Sequence, residues 1–367
     1  MRDTAMAADF IMDGGLLLSY SGAAAHVRIP HGVKAVAGHV FTQPEKILSI
    51  SLPDTVTELE EHAFEGCCNV KSIELPGSIR LIDDHVFSHW ESLRELVIPE
   101  GVETVGDECF EHCVSLERVE FPDSVQHIGR AAFYGCPALK EVRHPKGIGT
   151  IDLSGCAAIK SFTVPEGVEV VDFYRCAGLE SIRLPESLSC IEYKSFAYCA
   201  ALREIVIPDS VTSIGDFAFE HCGDLERVIL PDSVRSIGKR AFAGCKKLKS
   251  IRLPRGLTRV ENEVFSDCAS LESLLIPSSV TEIGDGAFSG CASLAALDIP
   301  ACVQSIGRDA FSGCARLKSI RADKRLLTAE SIRNTPYGEK QGVCSHCGGR
   351  LGLFGGCGRC RQPRKYR

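Results

Sequence analysis

Prolines recur along this chain at positions 30, 53, 76, 99, 122, 145, 165, 185, 208, 231, 254, 277 and 300. The spacing is 23 residues throughout, except for two consecutive intervals of 20. A fixed period of this length constrains the fold more than any composition does, because it makes the chain a stack of like units rather than a globule. Aligned on the prolines, thirteen copies of one unit emerge. A clear copy runs from Pro208-Asp-Ser-Val-Thr-Ser-Ile-Gly through Phe219 to Cys222, Leu225, Val228 and Leu230.

Each part of the unit has a physical reading. Leu225-x-x-Val228-x-Leu230 alternates apolar with polar residues, as a short strand with one buried face does. Proline ends that strand, and the Asp-Ser or Glu-Gly that follows supplies turn chemistry. Val211-x-x-Ile214-Gly215 makes a second approach to the core, as a second short strand would. Ala218-Phe219 then fills the interior near a tight turn ending at Cys222. One coil cannot bury its apolar side alone, so neighbouring coils must share their stability. At a strand spacing of roughly 4.8 Å, thirteen coils would make a rod about 60 Å long. The expected fold is a β-rich leucine-rich-repeat solenoid of the α/β solenoid class, with a parallel strand ladder. The two 20-residue units, Pro145–Val164 and Pro165–Leu184, read as lacking the Ala-Phe portion of the turn.

The recurring pattern Leu-Pro-Asp-Ser-Val-x-x-Ile-Gly-x-x-Ala-Phe-x-x-Cys-x-x-Leu resembles the bacterial surface-antigen (BspA-like) class of leucine-rich repeats, over residues 30 to about 322. Phe10-Ile-Met-Asp-Gly-Gly-Leu-Leu-Leu-Ser-Tyr20 looks like the hairpin that caps such arrays, with Asp13-Gly14 at its turn. The resemblance implies recognition of other macromolecules, frequently at a cell surface. The organisation expected is a capping hairpin over 1–29, the solenoid over 30–322, a linker with a short helical piece over 323–342, and a separate tail over 343–367.

Eleven cysteines hold one repeat position: 67, 113, 136, 156, 176, 199, 222, 245, 268, 291 and 314, with Pro44 and Trp90 in the other two units. A fixed phase three residues after the core phenylalanine suggests small buried side chains stacked between coils, where cysteine behaves as a small hydrophobe. A redox or metal ladder is the competing reading, since adjacent coils bring cysteines near each other. Cys68, Cys109, Cys190 and Cys302 lie off this phase.

The tail carries Cys344-x-x-Cys347 and Cys357-x-x-Cys360, nine residues apart. Each pair can form a knuckle with both sulfurs on one ion, and two knuckles complete a tetrahedron. The segment resembles a short zinc ribbon, in which a closed set of four thiolates holds structural Zn²⁺. Iron in a rubredoxin-like site or a redox pair of disulfides would use the same residues. Metal would fold the tail, because so few residues cannot bury a core unaided.

Charge is unevenly divided. The chain carries −7, yet residues 341–367 hold six Lys or Arg and no acid, which leaves −13 on the first 340. A basic tail raises the alternative of a nucleic-acid-associated protein, although Tyr366 alone follows Phe354 as a stacking platform. The first apolar stretch, Gly14–Leu18, is short and follows Asp3, Asp9 and Asp13, unlike a secretory signal. The expectation is a cytoplasmic, monomeric protein without a membrane span, its cysteines reduced or metal-bound. A surface adhesin exported by another route is the further alternative.

No phosphate-cradling loop, nucleophile elbow or His-Glu-x-x-His run is present, so the chain reads as a non-enzyme. Its partner surface is expected on the strand ladder, at the outward position that varies between units while its neighbours stay aliphatic: Ser51, Glu74, Val97, Glu120, Arg143, Thr163, Arg183, Val206, Ile229, Arg252, Leu275, Asp298 and Arg321. Apolar residues rimmed by arginine have the composition of a protein interface, which singles out Arg143, Arg183, Val206, Ile229, Arg252 and Leu275.

Overall fold

The computed structural model describes residues 9–341 and 343. The described residues divide into two compact units, the first up to residue 160 with 175–177 and the second 161–174 with residues from 178 onward. The division falls within the two 20-residue repeats.

Both units are built from the same coil. A three-residue face strand precedes every repeat proline but Pro76, and a two- or three-residue second strand follows after a turn. In the first unit the face strands are His26–Arg28, Ser49–Ser51, Glu95–Val97, Arg118–Glu120 and Glu141–Arg143. In the second they run from Ser161–Thr163 to Ser319–Arg321. Pairing is parallel and keeps the repeat register: Val119 lies opposite Leu96 and Val142, and Ile205 opposite Val228. The second strands pair likewise, as in Val36 with Leu59 and Ile214 with Ile237. Residues 72–74, where the repeat calls for a face strand, form none.

The N-terminal hairpin pairs Phe10–Asp13 antiparallel with Leu16–Tyr20, and the latter joins the second-strand ladder by pairing parallel with Ala35–Val36. Its turn residues are Gly14 and Gly15, with Gly14 at φ +60°, a left-handed conformation that glycine adopts without Cβ strain.

The third side of the coil departs from the α/β expectation. The solenoid is nearly all strand and turn; helical pieces include a 3-10 turn at Pro44–Lys46 and an α-helix at Pro336–Lys340. Helix is displaced because this side is itself a ladder of hydrogen bonds between coils. In the second unit the amides of Phe217, Phe219 and His221 donate to the carbonyls of Lys239, Ala241 and Ala243 in the next coil, at 2.9, 2.7 and 2.7 Å. In the first unit Glu108, Phe110 and His112 do the same toward Arg130, Ala132 and Tyr134. The alternating direction of these groups requires left-handed backbone five residues before the ladder cysteine and again one residue before it. The first of these columns includes His62, His85, Glu108, Ala131, Lys194, Phe217, Arg240, Glu263 and Asp309; the second includes His89, His112, Tyr198, His221 and Asp267. An i→i−4 helix cannot form where alternate amides are already given to a neighbouring coil.

Inside the coil the phenylalanines stack. Phe87, Phe110 and Phe133 have centroids 5.6 and 5.3 Å apart, and Phe196, Phe219 and Phe242 sit 5.3 Å apart with rings within 4° of parallel. The short repeats keep this column, contrary to the reading that they lack it. Leu153 and Phe173 are fully buried in it, and Phe173 stacks on Phe196 at 5.6 Å. The three missing residues are those carrying the first left-handed position; the second survives at Gly155 and Arg175.

Residues 330–333 pack against the last coil. Asp309 and Phe311 donate their amides to Glu330 and Ser331, Arg333 pairs with Asp309, and Ile332 is buried. Thr335 then caps the helix by accepting from the Gly338 amide.

Candidate interaction surface

Along most face strands the central residue is buried and the residues on both sides point out, so two outer columns flank one core column; at Val142, Phe162 and Ile182, around the short repeats, the central residue is half-buried. In Glu204-Ile205-Val206, Ile205 is buried and its neighbours are exposed. The positions singled out from sequence lie where that alternation puts them: Ser51, Val97, Arg143, Thr163, Arg183, Val206, Ile229, Arg252, Leu275, Asp298 and Arg321 are exposed, and Glu120 is half-buried. Glu74 is exposed but belongs to no strand.

In the second unit three aliphatic side chains break the polar surface: Val206 at 51% exposure, Ile229 at 38% and Leu275 at 75%. Val206 and Ile229 are register partners, as are Arg252 and Leu275. Coil stacking therefore gathers side chains that are 23 residues apart in sequence. Val97 stands out in the first unit at 63%.

The arginines are less free than composition suggests. Arg252 turns off the face to donate to both oxygens of Asp232 at 2.9 and 2.8 Å. That hydrogen bond, with a further one from the Arg255 amide, holds the Asp232 carboxyl below its ordinary value. Arg143 lies 3.8 Å from Glu120, which also takes Arg118. Arg321 pairs with Asp298 at 3.3 Å. Exposed pairs of this kind contribute little stability; their effect is to neutralise the ladder's rows and leave the aliphatic residues as its distinguishing chemistry.

The cysteine column is shielded. Its members are free and buried, and each from Cys113 onward donates its thiol to the carbonyl of the core residue in the preceding coil, as Cys222 does to Phe196 at 3.1 Å and Cys245 to Phe219 at 3.2 Å. Trp90, standing in the same column, gives its indole N–H to the Phe64 carbonyl at 2.8 Å. Burial pushes the Cys222 and Cys314 thiols up to about 12. A thiol so far from ionising is neither a nucleophile nor a ready metal ligand. Cys344, Cys347, Cys357 and Cys360 lie outside the described residues.

Two groups escaped the sequence reading because they form only when coils stack. On the turn edge of the second unit Lys194 Nζ sits 5.0 Å from the Tyr193 ring and 5.8 Å from those of Tyr174 and Phe217. On the same edge of the first unit, imidazoles and carboxylates converge around His62. The signal for both was the left-handed column, which the absence of a regular glycine hid.

A family model described as the BspA type leucine-rich repeat region matches residues 18–140, 82–173, 171–295 and 212–334. Among solved structures, a leucine-rich repeat protein from Bacteroides ovatus shares 30% identity over 85% of this chain and 86% of its own, with a TM-score of 0.77. One from Eubacterium ventriosum shares 22% over 82% and 89%, with a TM-score of 0.57. The pneumococcal vaccine antigen PcpA shares 18% over 88% and 89%, at 0.50. The last two show likeness of fold. No curated protein sequence matches.

Proposed function

Since the chain belongs to the BspA-type leucine-rich repeat family, we propose that it is a non-catalytic scaffold that binds a protein partner on its face strands. The observation that carries this reading is the aliphatic cluster Val206, Ile229 and Leu275, exposed on a ladder whose charges are largely paired with one another. Apolar side chains held on a rigid sheet lose little entropy on burial, so a partner gains most of its affinity there. Arg183 and Arg252 lie beside these residues and, with Arg143 in the first unit, would give the partner polar contacts, Arg252 and Arg143 exchanging the carboxylates of Asp232 and Glu120 for it.

Val206→Glu, Ile229→Glu and Leu275→Glu combined should leave the circular dichroism spectrum unchanged and abolish capture of the partner, while Lys239→Glu on the turn edge should not. Equal capture by both variants would remove the face from the proposal. Nucleic acid recovered at low salt and lost at high salt would instead favour the basic tail, whose phosphate contacts are salt-sensitive.

The tail cysteines Cys344, Cys347, Cys357 and Cys360 are proposed to hold one structural Zn²⁺, on the strength of their paired spacing. Elemental analysis of the purified chain distinguishes zinc from iron. A reducing compartment suits the column of thiol donors, each of which would lose its proton in a disulfide. Among the described residues no helix is long and apolar enough to cross a membrane. Fractionation that found the chain on the cell surface would move it there.

A further inference from the structure

We propose that His39, His62 and Glu65 form a binding site for a divalent transition cation of the zinc class, which ties together the first two coils of the N-terminal unit. His39 and His62 occupy the same left-handed position in consecutive coils, so their rings stack with centroids 4.9 Å apart. Glu65, three residues after His62, reaches back to both. Its Oε2 lies 3.0 Å from His62 Nδ1 and 3.5 Å from His39 Nδ1, and the three donor atoms all fall within 4.8 Å of one another. Metal–ligand bonds of about 2.0–2.2 Å in a tetrahedron place neighbouring donors about 3.3 Å apart. The two distances from the carboxylate bracket that edge.

A second observation concerns His62 itself. Its Nδ1 is screened from solvent and makes no aligned hydrogen bond, although a carboxylate oxygen is 3.0 Å away. The nitrogen and the carboxylate converge on common space instead of on each other. On the far side of the ring, Glu61 Oε1 stands 3.2 Å from Nε2. A carboxylate beside the second ring nitrogen is the outer-shell partner that orients metal-binding histidines, and Glu61 is placed for that role. Two imidazoles and one carboxylate favour zinc, cobalt or nickel over magnesium or calcium, which prefer oxygen alone.

His39 is 68% exposed, so its ring is free to tilt out of the stack and aim Nδ1 at the ion, with water completing the coordination. The next coil repeats the theme less tightly. His85 stacks on His62 at 4.5 Å, and its Nδ1 lies 3.8 and 4.0 Å from carboxylate oxygens of Glu108 and Glu111. With one imidazole and two carboxylates, that group is the weaker donor set.

The test is a calorimetric titration of Zn²⁺ into the full reduced chain, its His39→Ala variant and its Glu65→Gln variant. Any ion held by the tail cysteines is common to all three and cancels in the comparison. The unsubstituted chain should take up one more zinc per molecule than His39→Ala, and Glu65→Gln should weaken that uptake at least tenfold. Zinc should also raise the melting temperature of the unsubstituted chain more than that of His39→Ala. Both substitutions are at exposed or half-exposed side chains, and unchanged circular dichroism would verify the fold. Identical isotherms for the three proteins would overturn the site.

Discussion

Cys222 shows how much one residue type does in this coil. Its side chain fills a buried slot, as its repeat phase indicated, and its thiol adds a second hydrogen bond to the Phe196 carbonyl, which already accepts the Cys199 amide at 3.2 Å. Trp90 makes the same second bond, to the Phe64 carbonyl, with its indole N–H. His144 is the converse case. It stands in the column before the proline where Ile98, Phe121, Ile207 and Leu230 are buried, and desolvation pulls its pKa down to about 4. An unfolded histidine titrates near 6.5, so between those values the unfolded chain takes up the proton first. Stability is fully present above about pH 6.5 and falls as pH drops toward 4, by about 2 kcal/mol at pH 5. His144→Leu should remove that slope. Urea unfolding at pH 7 and pH 5 checks it, and parallel pH dependence in the two proteins would count against the assignment.

At the scale of the element, the strands were legible because period-2 alternation is a local signal, and the proline marked each strand's end. The turn side was not. Left-handed positions are usually betrayed by glycine, but the first of these columns mostly holds His, Glu, Lys, Phe, Arg, Asp and Ala, glycine occupies the second only in some coils, as at Gly135 and Gly244, and the stabilising hydrogen bonds run to the next coil. The same blindness misread the short repeats, in which Leu153 and Phe173 keep the core column while one left-handed residue is lost. An alanine in left-handed backbone carries a steric cost of order 1–2 kcal/mol, partly offset by the extra freedom that glycine has when unfolded. Ala131, at φ +52°, is the cleanest case. Ala131→Gly should raise stability by roughly 0.5–1 kcal/mol, whereas Ala132→Gly, at a buried position beside it, should lower stability. A chemical melt of the two variants decides the sign; destabilisation by both would mean that the position carries no strain.

For the molecule as a whole, each unit draws its stability from contacts between adjacent coils, so residues on the outside of the ladder are released from folding duty and left to recognition. That division was readable in sequence as constrained and free columns. What remained hidden was the pairing of Arg252 with Asp232 and of Arg143 with Glu120, because each pair joins coils 20 or 23 residues apart. The likeness of fold across bacterial leucine-rich repeat proteins of modest identity has the same origin: columns must be kept, and the faces need not. All three sides of the coil, including the one without regular strand, are hydrogen-bonded to the next coil. Hydrogen exchange on the full chain reads this amide by amide. The amides of Phe196, Phe219, Phe242, Phe265 and Phe288, each donated to the following coil, should be protected as strongly as those of the face strands. Face strands that stay protected while these turn-edge amides exchange at the rate of open loops would contradict it.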